Sequence, residues 1–108
     1  MKLLQPAPNL GCDIGAGAGK SSADVAAQVP LVITMLPNSP HVKSVVMGEG
    51  GILEGAKKGL IVVDMSSIAP LASQEVEKAC SEKGVRMLDA PVSGGEPKAI
   101  DGSLAIMV

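Results

Sequence analysis

The sequence predicts an α/β fold with a mainly parallel sheet. Three short apolar and β-branched runs, at residues 31–36, 60–65 and 85–89, have the length and composition of buried strands. Two segments with the apolar spacing of helices, at residues 40–47 and 70–83, lie between these runs. Strands that alternate with helices at this spacing form βαβ units with right-handed crossovers, and the strands of such units are parallel.

Serine and proline residues mark the starts of two predicted helices, a short one that precedes the first strand and the one at residues 40–47. Ser21 or Ser22 can cap a short helix that ends before Pro30. Ser39 is the expected N-cap of the next helix. Pro40 then occupies the first helical position, where its missing N–H costs nothing.

The longest predicted helix covers residues 70–83 and ends before Gly84, and a single helical turn is expected at residues 52–55. The apolar residues of the long helix are expected to face the core: Leu71, Val76, Ala79 and Cys80. The strand at residues 31–36 is apolar at consecutive positions. We therefore expect it to be buried on both faces in the middle of the sheet.

The two ends of the chain differ from this regular pattern. Residues 1–19 contain so many proline and glycine residues that we expect an irregular N-terminal segment. Residues 20–108 are expected to form one partial domain. A stretch rich in glycine and proline at residues 90–102 leads to a fourth strand at residues 103–108, and we expect this last strand to be truncated.

Composition excludes several functional classes. An apolar fraction of 46% and a net charge of −2 exclude intrinsic disorder and leave no basic surplus for nucleic acid. The lack of aromatic residues excludes base stacking. No apolar run has the length of a membrane span, so we expect a cytoplasmic protein that binds no membrane. Cys12 and Cys80 are expected to be free thiols.

His41 is the single histidine of the sequence, which leaves no histidine cluster for a metal ion and no serine–histidine–aspartate triad. We therefore expect no metal site, and we expect His41 to be an exposed residue in the first turn of its helix.

Three predicted loops follow the carboxyl ends of the strands, where open α/β sheets bind their ligands. The first contains Met35, Leu36 and Pro37, and its apolar surface can pack against a flat ring. The second offers the hydroxyls of Ser66 and Ser67, which can bond to a carboxamide. The sequence thus predicts a ligand site, and the alternative is that the loops are ordinary turns between strands and helices.

The third loop contains Ser93, Gly94 and Gly95. One hydroxyl and two backbone amides without side chains suit the carboxylate or hydroxyl of a small substrate. Asp64 and Asp89 lie at the ends of their strands. They either form a carboxylate pair or each brace the loop that follows, and the second interpretation is the simpler one.

Residues 15–21 resemble a phosphate-binding loop, but the pattern requires glycine at the position of Ile14. The same residues fail as a dinucleotide fingerprint, because Lys20 stands at the position of the third glycine. The partial match leaves a nucleotidase as a third interpretation. Protection of this segment by Mg-ATP would test it.

The strand ends contain three motifs, ITMLPN at residues 33–38, DMSSIAP at residues 64–70 and DAPVSGG at residues 89–95. Together they resemble the β-hydroxyacid dehydrogenase family, which includes 3-hydroxyisobutyrate dehydrogenases. The resemblance runs in order over about residues 20–108. Residues 37–43 and 94–102 are most similar to family members that reduce tartronate semialdehyde (2-hydroxy-3-oxopropionate) to glycerate.

The resemblance implies part of a Rossmann-type, doubly wound domain with a mainly parallel sheet that binds NAD or NADP. It implies hydride transfer between the nicotinamide and a short β-hydroxyacid or its semialdehyde. In whole family members an all-helical domain follows, and the proteins are homo-oligomers. By position, the resemblance assigns cofactor contacts to Met35, Leu36, Pro37 and Ser67, and substrate contacts to Ser93, Gly94 and Gly95.

Two departures from the family pattern limit what this chain is expected to do. Residues 1–19 lack the family's glycine fingerprint, so we expect the fold to lack its first βαβ unit. No lysine of the chain stands in the family's catalytic motif, so we expect no catalytic residue and no reductase activity. The alternative function is a non-catalytic α/β module that binds a partner or another ligand through the same sheet edge.

Overall fold

A computed structural model of the chain describes residues 2–3 and 15–108. Cys12, which is expected to be a free thiol, and Ile14, which breaks the phosphate-loop pattern, lie outside these residues. The described elements follow one another in the order β1 (Lys2–Leu3), β2 (Gly17–Ala18), α1 (Ser22–Gln28), β3 (Leu31–Thr34), α2 (Ser39–Met47), α3 (Ile52–Gly55), β4 (Ile61–Asp64), α4 (Pro70–Glu82), β5 (Arg86–Asp89), β6 (Val92–Ser93), α5 (Gly95–Asp101) and β7 (Ala105–Ile106).

The central sheet contains β3, β4 and β5 in that order, and both pairs of strands are parallel. The predicted α/β fold with parallel βαβ units is therefore confirmed. The strands are in register, so that Thr34, Asp64 and Asp89 lie side by side at their carboxyl ends. All three following loops consequently begin at the same edge of the sheet.

The hydrophobic core lies between this sheet and the helices. Val62 in the central strand is completely buried, and valines of α2 and α4 are buried with it. The helix residues of this core are Ala26 in α1, Val42 and Val46 in α2, Ile52 in α3, and Val76 and Cys80 in α4. Burial of such side chains stabilises the fold by about 1.5–3 kcal/mol for each large one.

The other face of the sheet has no such cover in residues 15–108. In β3 the residues alternate between buried and exposed, and the exposed fractions are 44% for Leu31 and 58% for Ile33. The prediction that this strand is buried on both faces, in the middle of the sheet, was therefore wrong. The buried residues of α2 and α4 belong to one core cluster, so both helices pack on the same face of the sheet. This is the arrangement expected of right-handed crossovers when the strand order advances in one direction.

The helix starts differ slightly from those predicted. Ser21 is the N-cap of α1, as predicted, and its Oγ accepts a hydrogen bond from the Asp24 amide at 3.1 Å. The N-cap of α2 is Asn38 and not Ser39. The hydroxyl of Ser39 instead accepts a hydrogen bond from the Ala69 amide at 3.1 Å, in the next loop along the sheet edge.

The long helix α4 ends at Glu82, and Gly84 follows with a φ of 74°, as its sequence pattern predicts. Leu71, however, is 74% exposed, which contradicts its predicted place in the core. The buried face of α4 consists of Ala72, Ser73, Val76 and Cys80, in which Val76 follows Ala72 by four positions and Cys80 follows Val76 by four. Leu71 lies five positions before Val76 and therefore points away from this face.

The C-terminal part contains a helix that the sequence did not predict. Helix α5 lies within the stretch rich in glycine and proline, between glycines whose positive φ values allow the chain to enter and leave it. The fourth strand is shorter than predicted, and it pairs with β6 in an antiparallel hairpin instead of joining the central sheet. At the other end, β1 and β2 form a short parallel pair within the segment expected to be irregular.

Candidate functional site

The first two loops at the carboxyl edge are joined by hydrogen bonds. The Leu36 amide donates to Ser66 Oγ at 2.8 Å. The Met65 amide donates to the Thr34 carbonyl, also at 2.8 Å. The bond from Ala69 to Ser39 adds a third connection where α2 and α4 begin. The structure therefore brings together the first two of the three segments that the sequence predicts to form a ligand site.

Asp64 lies at the centre of this connection and is completely buried. Its Oδ1 accepts hydrogen bonds from Thr34 Oγ1 at 2.8 Å and from the Ser66 amide at 3.1 Å. Its Oδ2 has no hydrogen-bond partner among the described residues. Asp64 thus braces the loop that follows it, which is one of the two interpretations of the sequence. Asp89 is exposed and does not form a buried carboxylate pair with Asp64.

The residues predicted to contact a cofactor surround this buried connection. Met35 is 53% exposed, Pro37 and Ser67 are exposed, and Leu36 is half-buried. Exposed apolar groups and an exposed hydroxyl therefore lie on two loops that hydrogen bonds hold side by side. Such a surface can receive a flat ring on its apolar part and a polar substituent at the hydroxyl.

The third loop leaves the same edge but takes a separate path. The Ala90 amide donates to the Asp64 carbonyl at 2.8 Å, which places the start of this loop beside the other two. Ser93 then pairs with Ala105 in the antiparallel hairpin. Within residues 15–108, none of the hydrogen bonds between loops joins Ser93, Gly94 or Gly95 to the first two loops.

The two glycines of the third loop have a conformational reason. Gly94 has a φ of 131° and Gly95 a φ of 65°, which side-chain-bearing residues rarely adopt. A Cβ at Gly94 would also lie 2.5 Å from Cγ of Lys98. These requirements of the entry into α5 explain both glycines without a ligand, so their predicted substrate contacts stay a prediction.

Two cavities lie elsewhere on the described surface. One of about 350 Å³ lies between α4 and β5 and is lined by Pro70, Ser73, Gln74, Glu77, Met87 and Asp89. The other, of about 330 Å³, lies at the opposite edge of the sheet and is lined by residues 27–30 and 57–60. The residues predicted to bind cofactor and substrate line neither cavity, so the candidate site is an open edge of the sheet.

The segment that resembles a phosphate-binding loop is arranged differently from one. Gly17 and Ala18 form strand β2, and the Lys20 amide donates to Asp24 Oδ2 at 2.9 Å. A carboxylate thus lies at the start of α1, where a bound phosphate would need positive potential and free amides. This arrangement disfavours the nucleotidase interpretation.

His41 is exposed, as predicted, and its Nδ1 contacts Asn38 Oδ1. The described part of the chain contains no group of three or more histidine, cysteine, aspartate or glutamate residues placed to hold a metal ion. In the same residues, no helix combines the length and the apolar character that crossing a membrane requires.

The family described as the NAD binding domain of 6-phosphogluconate dehydrogenase matches residues 7–108. The chain belongs to this family. The match begins before residue 20, where the motifs place the start of the resemblance, and it confirms the Rossmann-type fold and the NAD-binding class. It therefore extends into the segment that lacks a glycine fingerprint.

The relatives of this NAD-binding domain are named for different substrates. The chain is 44% identical over 94 residues to 2-(hydroxymethyl)glutarate dehydrogenase of Eubacterium barkeri, and this match covers 87% of the chain and 31% of the relative. It is 39% identical over 95 residues to 2-hydroxy-3-oxopropionate reductase of Escherichia coli, which covers 88% and 32%. The resemblance to β-hydroxyacid dehydrogenases is thus confirmed, and the chain spans about a third of the length of these relatives.

The fold is also that of a solved relative. A crystal structure of 3-hydroxyisobutyrate dehydrogenase from Salmonella typhimurium superposes with a TM-score of 0.82 at 31% identity, over 98% of this chain and 37% of that one. Nearly the whole NAD-binding domain described here therefore has a counterpart in a dehydrogenase of this family.

Proposed function

We propose that the chain forms one side of the nicotinamide crevice of an NAD- or NADP-dependent oxidoreductase that acts on short β-hydroxyacids. The observation that carries the proposal is the hydrogen bond from the Leu36 amide to Ser66 Oγ. It holds Pro37 and Ser67 on adjacent loops at the carboxyl edge of the parallel sheet, where open α/β folds bind dinucleotides.

The described residues fit the ring end of a dinucleotide. The exposed apolar groups of Met35 and Pro37, with the partly exposed Leu36, offer a surface for the nicotinamide. The exposed hydroxyl of Ser67 can donate to or accept from its carboxamide. When bound, the dinucleotide supplies the hydride for reduction of a carbonyl, or accepts it in the reverse reaction.

The proposed substrate is a short semialdehyde, and tartronate semialdehyde, reduced to glycerate, is the preferred candidate. Residues 94–102 resemble those of reductases for this substrate, and the chain is 39% identical to one of them over 95 residues. Ser93, Gly94 and Gly95 are proposed to hold the substrate through one hydroxyl and two backbone amides. Reduction also consumes one proton, and no lysine of this chain stands in the family's catalytic motif.

The first test is dinucleotide binding by the 108-residue chain. The start of α1 carries the Asp24 carboxylate, so this segment offers no helix terminus for a pyrophosphate. We therefore expect no micromolar binding of NADH or NADPH in isothermal titration calorimetry, and no reduction of tartronate semialdehyde. Micromolar affinity would show that the described half of the crevice is sufficient, and would contradict this prediction.

Weak binding can still be located by NMR. With millimolar NADH, we expect the amide signals of Met35, Leu36 and Ser67 to shift, whereas those of Lys57 and Lys58, at the opposite edge, do not. Ser67→Ala should reduce the shifts, and Ser81→Ala, a matched change at an exposed position of α4, should leave them unchanged. Equal shifts at both edges would contradict a site at the carboxyl ends of the strands.

A non-catalytic interaction module is the second candidate, and the uncovered sheet face favours it. Ile33 and Leu88 flank Val63 of the central strand on that face, and their side chains are 58% and 49% exposed. Apolar residues that are exposed together on a sheet are typical of surfaces that bind other protein segments. If dinucleotides shift no signal and another protein shifts those of Ile33 and Leu88, this second function is supported instead.

A further inference from the structure

Two loops at the carboxyl edge meet through a buried set of polar groups, which we call the clasp and define as Thr34, Leu36, Asp64 and Ser66. Three hydrogen bonds connect its members, from Thr34 Oγ1 and the Ser66 amide to Asp64 Oδ1, and from the Leu36 amide to Ser66 Oγ. Thr34, Asp64 and Ser66 are all buried. Water therefore does not compete for the two bonds to Asp64 Oδ1, and each contributes more than it would on the surface.

We infer that Asp64 is the positioning residue of the nicotinamide crevice, and that it acts through Ser66. Its Oδ1 holds the Ser66 amide two residues further along the chain, and the hydroxyl of Ser66 then receives the Leu36 amide. The bond to Thr34 ties the same oxygen to the neighbouring strand. One buried oxygen atom thus helps to set the relative position of Pro37 and Ser67, together with the bonds from Met65 to Thr34 and from Ala69 to Ser39.

The two oxygens of Asp64 have different roles. Oδ1 accepts both hydrogen bonds, whereas Oδ2 accepts none from the described residues. An asparagine can therefore place its carbonyl oxygen at the position of Oδ1 without loss of a hydrogen bond. An alanine removes both bonds and leaves the Thr34 hydroxyl and the Ser66 amide without their acceptor.

Hydrogen exchange of the Leu36 amide, measured by NMR against the amides of β4, tests this inference. In Asp64→Ala we expect Leu36 to exchange roughly tenfold faster relative to β4, the factor typical of one lost buried hydrogen bond. In Asp64→Asn we expect the relative rate to stay at the wild-type value. Asp89→Ala, which changes the exposed aspartate at the same register position of β5, is the matched control and should leave it unchanged.

The double variant shows whether Asp64 acts through Ser66. Ser66→Ala alone should accelerate Leu36 exchange, and Asp64→Ala in that background should add no further acceleration. Additive effects would overturn the route through Ser66. Equal effects of Asp64→Asn and Asp64→Ala, or equal acceleration of Leu36 and β4, would overturn the positioning role. If Asp64→Ala does not fold, Asp64→Ser replaces it, because its shorter side chain cannot hold both donors.

The inference rests on the proposed function in one respect, namely that the two loops joined by the clasp bind the nicotinamide. Millimolar NADH should shift the Leu36 and Ser67 amide signals in the wild type and in Asp64→Asn, and less in Asp64→Ala. If NADH shifts no signal in the wild type, the proposed function fails. The exchange rates still decide whether Asp64 positions the two loops.

Discussion

The two faces of the central sheet have similar apolar residues but are covered differently in residues 15–108. On one face Val32 and Val62 are buried under the helices, and on the other Ile33 and Leu88 are 58% and 49% exposed. The crossovers explain the difference, because strands that follow one another in one direction carry their helices on the same face. An apolar strand therefore predicts that both faces need cover, and the topology decides which face these helices reach.

The largest expected effect is at the central strand, where neighbouring valines point to opposite faces. Val62→Ala should lower the free energy of unfolding by about 2–3 kcal/mol, because it removes two buried methyl groups and leaves a cavity. Val63→Ala, the matched change on the other face, should cost about 1 kcal/mol or less. Urea unfolding followed by far-UV circular dichroism measures both, since the chain has no aromatic residue for fluorescence. Equal losses would contradict the difference between the faces.

The next effect concerns association of the chain with itself. Among the described strands β3 pairs on one side only, and this edge together with its exposed apolar residues predicts that copies associate as concentration rises. Ile33→Lys should reduce this association in sedimentation velocity and change the free energy of unfolding by less than about 1 kcal/mol. Ser44→Lys, which adds the same charge at an exposed position of α2, should leave association unchanged. A wild-type chain that is monomeric at every concentration would refute this prediction.

Cys80 reports on the covered face. Burial, with a smaller contribution from the Glu77 carboxylate, raises the pKa of its thiol to about 11. In a Cys12→Ser background, alkylation at pH 8 should be slow in the folded chain and fast in urea. The unfolded chain releases the thiol proton at lower pH, so the free energy of unfolding should fall as the pH rises from about 9 to 11. Cys80→Ala should abolish this fall, and rapid alkylation without urea would show that water reaches this face.

The smallest effect is expected on the outer surface of the helix layer. Lys43 and Glu75 form an ion pair at 2.7 Å between α2 and α4, and their side chains are 37% and 60% exposed. Solvent screens such a pair, so Glu75→Gln should change the free energy of unfolding by less than about 0.5 kcal/mol. A loss similar to that of Val62→Ala would mean that surface charge, and not the buried face, holds α2 and α4 together.

The elements that the sequence predicts well are those whose signals are local. The β-branched runs before Thr34 and Asp64 predict two strands, and Ser21 predicts the cap of α1 from residues within one helical turn. Helix α5 was not predicted, because glycine and proline usually mark loops, although here they form its ends and its first turn. The Ser39 cap was wrong because that hydroxyl bonds to Ala69 in a distant loop.

The sequence predicted where the loops of the candidate site lie, but not how these loops are held together. The rule that ligands bind at the carboxyl ends of parallel strands placed Pro37 and Ser67 at one edge, and the structure joins their loops. The central place of Asp64 could only be suggested, as a brace for its own loop. Its burial and its bond to Thr34 depend on the pairing of β3 with β4, which no local pattern describes.

The sequence by itself determined the strands and main helices, the parallel α/β class and the family. Each of these depends on a local signal, namely periodicity, capping or a short motif, whose residues lie within about ten positions of one another. The tertiary structure alone decided which sheet face is covered and how the first two loops are connected. The bonds from Thr34 to Asp64, from Leu36 to Ser66 and from Ala69 to Ser39 each join residues 30 positions apart. Contacts at this separation form only when the strands pair and the helices pack, so the order of the strands controls them.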